Sequence, residues 1–321
     1  MFSFNDKFIT KKKTIRKMKK YLSITIIILF CSIRGIAQQD PHFTQYFDNN
    51  LFVNPAYAGS KGVLNLTGIH REQWVGFDGR PRSTTFSIHS PLKYESVGLG
   101  FTLVNDEIGP VKQTMFYGDF SYSIRFKQKD RKLSFGLKAG FNMINIATSG
   151  LQTTDPSDPK LLQNVNNRIN PNFGFGIYYN SPRFFVGLST PKILEQAYDG
   201  VSTSNLERRH YFGIIGGVFP LSASWKMRPS AQVKLTMGAP ISVDLSTAGI
   251  YKEKFWIGAT YRLNAAFGTF VQYQITPQFR LGLASDFDTQ ALRNYNYGTF
   301  EMLASYDFVF KKQGIRSPRY F

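Results

Sequence analysis

The 321-residue chain carries a single cysteine, Cys31, so neither a disulfide framework nor a Cys-rich metal site is open to it. Its four histidines are ordinary for this length and carry little specificity by themselves. No apolar run reaches the ~18 residues that suggest a membrane-spanning helix. Its 27 glycines and 15 prolines follow no collagen period, and no heptad repeat is sustained. What the chain does have is apolar and aromatic surface, 42% hydrophobic and 16% aromatic residues, too much for a disordered chain. Such a length holds one large domain or two ordinary ones.

Acidic residues are also scarce, 21 against 39 Lys+Arg, for a formal charge of +18. That balance suggests nucleic acid until the charges are located. Nine of the basic residues (Lys7, Lys11, Lys12, Lys13, Arg16, Lys17, Lys19, Lys20, Arg34) and one acid, Asp6, fall within residues 1–37. Much of the excess therefore belongs to the first segment, and no basic groove interleaved with aromatics supports nucleic-acid binding elsewhere.

That first segment has the order of a secretory signal. Lys17, Lys19 and Lys20 lead into an apolar run over 22–30, followed by Gly35-Ile36-Ala37, a small-x-small site ahead of Gln38. Residues 1–37 are read as a signal peptide cleaved after Ala37, and Met18 offers a second start with a sufficient charged prefix. Cys31 follows Phe30, whereas a lipoprotein site wants a small residue before the cysteine. The mature chain would then have no cysteine, which suits an oxidising compartment.

Downstream of residue 60 the apolar period is two. Phe116, Phe120, Tyr122, Ile124 and Phe126 share one face with Gly118, while Tyr117, Asp119, Ser121, Ser123 and Arg125 share the other. Leu133, Phe135, Leu137, Ala139, Phe141 and Met143 oppose Ser134, Gly136, Lys138, Gly140 and Asn142. Trp225, Met227, Ala231, Val233, Leu235 and Met237 oppose Lys226, Arg228, Ser230, Gln232, Lys234 and Thr236. Phe300, Met302, Ala304, Tyr306, Phe308 and Phe310 oppose Thr299, Glu301, Ser305 and Asp307. A soluble sandwich would also alternate. The segments, however, approach the ~9 to 11 residues of a tilted membrane strand, and aromatics sit at the ends of the apolar faces as membrane-interface girdles require. With an export signal in front, the expected fold is all-β, a transmembrane antiparallel β-barrel of about fourteen strands in the outer membrane.

The strand centres are Leu66, Phe86, Phe101, Phe120, Leu137, Phe175, Val186, Ile214, Val233, Val243, Ile257, Phe270, Leu281 and Ala304. If the mature N-terminus starts in the periplasm, odd-numbered connections face outward and should be long. The two longest, 148–170 and 191–208, are the fifth and seventh. The domain reading is a signal peptide at 1–37, an N-terminal plug or periplasmic segment at 38–60, the barrel at 61–310 and a basic periplasmic tail at 311–321. In 38–60, Phe43, Tyr46, Phe47, Asn50 and Leu51 fall at helical spacing before Asn54-Pro55-Ala56 forces a turn. This stretch either caps the periplasmic mouth or tucks into the lumen. Asn54, Pro55, Ala56, Tyr57 and Gly59 form its candidate plug motif. Asp119, Arg125, Lys226, Arg228, Lys234, Arg262, Glu301 and Asp307 are candidate lumen residues.

Asp40-Pro41-His42-Phe43-Thr44-Gln45-Tyr46, Asn54-Pro55-Ala56-Tyr57-Ala58-Gly59 and Arg71-Glu72-Gln73-Trp74-Val75-Gly76-Phe77-Asp78-Gly79 resemble the PorP/SprF family of outer-membrane proteins. The likeness continues through Gly98-Leu99-Gly100, Asn105-Asp106, Ile108-Gly109-Pro110, Ser134-Phe135-Gly136-Leu137 and the tail Arg316-Ser317-Pro318-Arg319-Tyr320-Phe321. It implies a non-enzymatic barrel of the type IX secretion and gliding machinery. Such a barrel anchors or supports export of a surface adhesin, or links the machinery to the outer membrane. The implied partners are outer-membrane lipid and a machinery component or adhesin cargo, with no cofactor. Asn54-Pro55-Ala56 is also similar to the hatch motif of FadL-type channels, whose barrels have fourteen strands, so a FadL-like channel for hydrophobic or small solutes is the alternative.

Chemistry finds little footing in the residues. His70 and His89 lie on adjacent early strands and are the only candidates for an interfacial hydrolase, but a structural role fits them better. Asp155-Pro156-Ser157-Asp158 and Asp286-Phe287-Asp288 are acidic clusters expected in outer loops, without calcium-loop spacing. Gly174-Phe175-Gly176 and the glycines of 213–217 lie within strands and are not phosphate loops. In the tail, Arg316, Arg319, Tyr320 and Phe321 offer charge for steering and an aromatic anchor, a candidate docking element.

Overall fold

The structure, a computed structural model, describes residues 41–93, 96–126, 131–148, 164–197, 206–289 and 295–309. The early strands are β1 (Leu64–Glu72), β2 (Arg82–Pro91), β3 (Val97–Ile108), β4 (Val111–Phe126), β5 (Arg131–Ile146), β6 (Val165–Asn180) and β7 (Phe184–Thr190). A two-residue ribbon, β8 (Gln196–Ala197) with β9 (Leu206–Glu207), interrupts the series before β10 (His210–Gly217). β11 (Phe219–Pro220) folds back on β12 (Trp225–Thr236), which leads to β13 (Ser242–Tyr251) and β14 (Phe255–Arg262). The series ends with β15 (Ala266–Gln274), β16 (Phe279–Asp288) and β17 (Thr299–Phe308).

Every long strand pairs antiparallel with the next, β10 pairs directly with β12, and β17 returns to β1 through Leu64↔Phe308 to Glu72↔Phe300. The result is a closed fourteen-stranded barrel with no free sheet edge. All fourteen sequence-read centres fall inside these strands. The fifth connection is shorter than the sequence suggested, because β5 and β6 continue to pair out to Ile146↔Val165. Among the described residues no helix is long and apolar enough to cross a membrane.

The period of two sorts side chains between lipid and lumen. Leu137, Leu188, Leu283 and Met302 are exposed on the outer face, while Asp119, Lys138, Asn142, Arg228, Lys234 and Glu301 are buried on the inner one. Aromatics mark both margins of the apolar band. At one end Trp225, Tyr251, Phe255 and Tyr273 stand opposite one another in register across β12 to β15, with Trp225 and Tyr251 rings 5.0 Å apart. At the other end Tyr261, Phe267 and Phe287 do the same across β14 to β16. Phe267 and Tyr273 share β15, so at ~3.4 Å per residue the two margins lie about 20 Å apart along the strand.

Odd-numbered connections gather at one rim and even-numbered ones at the other, where β1 begins and β17 ends. The first and thirteenth connections zip together at the odd rim. Val75 N–H donates to Gly298 O (3.0 Å) and Tyr297 N–H to Val75 O (2.8 Å). Gly76, at φ +96, lets the Tyr297 ring lie against the backbone, where an added Cβ would come within 2.6 Å of it.

Candidate functional site: a segment inside the barrel

Residues 43–60, just ahead of β1, occupy the lumen. They form a 3-10 turn Tyr46–Asp48, a four-residue helix Asn50–Val53 and a second 3-10 turn Pro55–Tyr57. Pieces this short have no stability of their own, so their shape depends on what surrounds them. Phe43, Tyr46, Phe47, Leu51, Ala56 and Tyr57 are all buried.

The first half is held by ionic and polar groups of β1 and β12 to β17. Glu301 accepts the Thr44 N–H at 2.5 and 2.9 Å through its two oxygens, and Thr44 Oγ1 donates to Asp286 at 2.5 Å. Arg71 ties the acids together, with Nη2 at 2.7 Å from Asp286, Nη1 at 3.4 Å from Glu301 and a 2.9 Å bond to Thr44 Oγ1. Two carboxylates and one guanidinium thus meet around one threonine, all out of water. Asp48 pairs with Arg280 at 2.7 Å and accepts from Gln272 at 2.6 Å. Burial by itself would raise the Asp48 carboxyl, but Arg280 and Arg228 outweigh it and hold the group below the usual carboxylate range. Arg228 lies over the rings of Phe47 (3.7 Å) and Trp256 (4.5 Å). His42 sits 3.2 Å from Lys234 Nζ and 3.7 Å from Asp244. Burial, then Lys234, push its pKa down to about 3, so the ring is neutral at ordinary pH.

The second half is held by fit. Asn54 Oδ1 accepts the Ala56 N–H at 3.0 Å, starting the Pro55–Tyr57 turn, while its Nδ2 donates to Ile177 O on β6 at 3.1 Å. Lys138, paired with Asp119 at 2.9 Å, donates to Leu51 O, Ser121 donates to Ala58 O, and the Gly59 N–H reaches His89 Nδ1 at 3.1 Å. Inward-facing glycines on β3, β5 and β6 leave the space. A Cβ on Gly98 would lie 2.2 Å from Ala58 O, on Gly136 2.1 Å from Ala56 N, and on Gly176 2.1 Å from Asn54 Oδ1. Gly59 itself has φ +72 and lies close against Pro91 and Gly98. In the sequence Gly176 is read only as no phosphate loop, Gly136 as a member of the polar face, and Gly98 only as part of a family motif. Their inward parity on neighbouring strands was the available signal of a backbone passing close by.

The model of the family described as type IX secretion system membrane protein PorP/SprF matches residues 35–306. The chain belongs to that family. Among curated proteins none matches it. Solved structures similar to this PorP/SprF barrel include the Acinetobacter baumannii outer membrane protein Omp33, at 10% identity and TM-score 0.45, covering 78% of this chain and 100% of that one. A Pseudomonas aeruginosa FadL homologue is similar at 12% identity and TM-score 0.44, covering 80% of this chain and 93% of that one. The CymD monoaromatic hydrocarbon channel is similar at 11% identity and TM-score 0.45, over 81% and 98%. Membership and fold together put this PorP/SprF protein in the outer membrane.

The other residues singled out in the sequence fall in different places. Asp119, Arg228, Lys234 and Glu301 are buried in the lumen against the segment. Arg262 is half-buried and pairs with Asp244 at 2.8 Å near the odd rim. Lys226 lies at the even rim, where it bridges to Glu253 at 2.5 Å, and Asp307 accepts from Asn65 at 2.7 Å. Arg125 corrects the sequence reading. It has the inward parity of Asp119 but is exposed, because β4 runs past the even rim before it turns.

The two histidines cannot act together. His70 points outward and bonds Thr84 Oγ1 at 2.9 Å, while His89 is buried in the lumen against Tyr57. Asp286, Phe287 and Asp288 end β16 rather than forming a loop, which sends Asp286 inward and Phe287 out. Among the described residues no three potential metal ligands cluster. Asp155, Asp158 and the tail residues Arg316, Arg319, Tyr320 and Phe321 lie outside the described residues.

Proposed function

We propose that this PorP/SprF barrel is a non-enzymatic anchor of the type IX secretion system, holding or supporting the export of a surface adhesin, or linking the machinery to the outer membrane. The observation that carries this reading is the buried segment. A lumen crossed by apolar side chains, ion pairs and close backbone contacts supports a rigid platform better than an open conduit. The opposite facing of His70 and His89 supports the absence of catalysis.

On this reading the even rim faces the periplasm, with the basic tail 311–321 offered there to a partner through Arg316, Arg319, Tyr320 and Phe321. Affinity recovery of the mature protein from membranes tests it. A type IX component or secreted adhesin should co-purify, and deletion of 315–321 should remove a periplasmic partner while leaving barrel abundance unchanged. Recovery of the barrel alone would count against the anchor. In planar bilayers the intact protein should not conduct, and steady conductance or uptake of hydrophobic solutes would favour the FadL-like channel instead.

A further inference from the structure

We infer that residues 42–60 are threaded lengthwise through the barrel, so that the N-terminal end of the segment, Pro41 and His42, opens at the odd rim and is presented at the cell surface. This rests on the proposed orientation, in which the odd rim is external. The sequence expectation, that this stretch caps the periplasmic mouth or tucks into the lumen, gave its N-terminal end no place at the outer rim.

The argument is one of levels along the strands. His42 lies between Lys234, near the end of β12, and Asp244, near the start of β13, beside the connection that joins them at the odd rim. Thr44 is held by Arg71 near the end of β1, Asp286 near the end of β16 and Glu301 near the start of β17, all at the same rim. In the middle, Tyr46 bonds Ser230, halfway along β12, while Asp48 is already drawn toward the even rim, bonded to Arg280 at the start of β16 and Gln272 near the end of β15. At the far end Gly59 approaches His89 and Pro91 at the end of β2 and Gly98 at the start of β3, and the chain then enters β1 at the even rim.

The path length agrees with this. Eighteen steps at even the ~1.5 Å helical rise cover about 27 Å, enough for a ~25 Å apolar band. Exposure follows the same order, with Pro41 and His42 half-buried and residues 43–60 buried without a break. The two ends of the lumen segment then meet different compartments, with Pro41 and His42 opening outside the cell and Gly59 and Ser60 lying at the periplasmic end.

Single-cysteine labelling tests this in the full-length protein carrying Cys31→Ser. Pro41→Cys, Met237→Cys (odd rim) and Pro277→Cys (even rim) are each exposed on intact cells to a membrane-impermeant maleimide, after confirming that every variant keeps a folded, heat-modifiable band. Pro41→Cys should react as readily as Met237→Cys, while Pro277→Cys should react only after the outer membrane is opened. Protection of Pro41→Cys beside a reactive Met237→Cys overturns the threading. A reactive Pro277→Cys beside a protected Met237→Cys overturns the orientation and surface presentation with it. A His42→Cys/Asp244→Cys pair then isolates the threading, because a short bifunctional thiol reagent should join the two positions whichever rim is external. Failure to join them in folded protein overturns it.

Discussion

The two halves of the lumen segment are held by different physics. Residues 42–48 face β1 and β12 to β17 through charged and polar side chains, whereas residues 51–59 face β2 to β6 through their own backbone and the space left by glycines. A charge network can fail by losing a single member, because the partners left behind remain buried and unpaired. A glycine-lined fit fails instead by gaining an atom. The contrast teaches that one segment of some twenty residues has two separate points of weakness, and each can be struck without touching the other.

The hardest blow falls on the charged half. Arg71→Met leaves Asp286 and Glu301 side by side without their cation, which should cost about 3–5 kcal/mol and lower the urea midpoint at which the unheated, fast-migrating band disappears. Adding Asp286→Asn and Glu301→Gln should restore most of that loss, since replacing the whole group removes the uncompensated charge. A single variant as stable as the parent would show that the cluster contributes nothing.

On the glycine half, Gly136→Ala should cost about 1–3 kcal/mol by overpacking against Ala56. Gly118→Ala on the neighbouring strand faces lipid, where the added Cβ meets nothing nearer than 3.9 Å, so its midpoint should not move. Equal effects at both positions would abolish the distinction between the faces.

Acid tests the charged half more gently, through one residue. His42 is held neutral in the folded state, with its pKa pushed down to about 3 from an ordinary 6.5. Its contribution is therefore complete above pH 6.5 and declines as the pH falls towards 3, by at most about 1.4 kcal/mol per pH unit. His42→Gln should flatten that part of the stability profile between pH 7 and 5, and an unchanged slope would show that His42 is not its source. The smallest effect is expected outside the lumen. Glu72→Gln breaks the half-exposed bridge to Arg80 at the odd rim, and the same urea titration should register less than about 1 kcal/mol.

The wall was legible in the sequence because it is built on local periodicity. Phe116 to Phe126 and Trp225 to Met237 announce their facing through nearest neighbours, and such pairs as Trp225 with Tyr251 follow once the turns are placed. The lumen segment was legible as a candidate plug, but not in how it is held. Phe43, Tyr46, Phe47 and Leu51 signal burial, but what they bury against depends on contacts such as Thr44 with Glu301, far apart in the chain. Arg125 shows a further limit. Parity gives the direction of a side chain, but not whether the strand at that point is still inside the membrane. Gly98, Gly136 and Gly176 show the opposite case, where the signal was present and its meaning needed the occupant.

The buried segment also precedes in the chain every strand that surrounds it, and the wall is sealed only when β17, the last strand, pairs with β1, the first. A closed barrel would resist insertion of ion-paired side chains through a finished mouth, so the segment has to be in place while the sheet is still open. The sheet then wraps around a core that was synthesised before it. Loop closure across most of the chain, the Thr44–Glu301 contact spanning 257 residues, makes this a slow last step. The residues ahead of the wall thus become the former on which the barrel is cast.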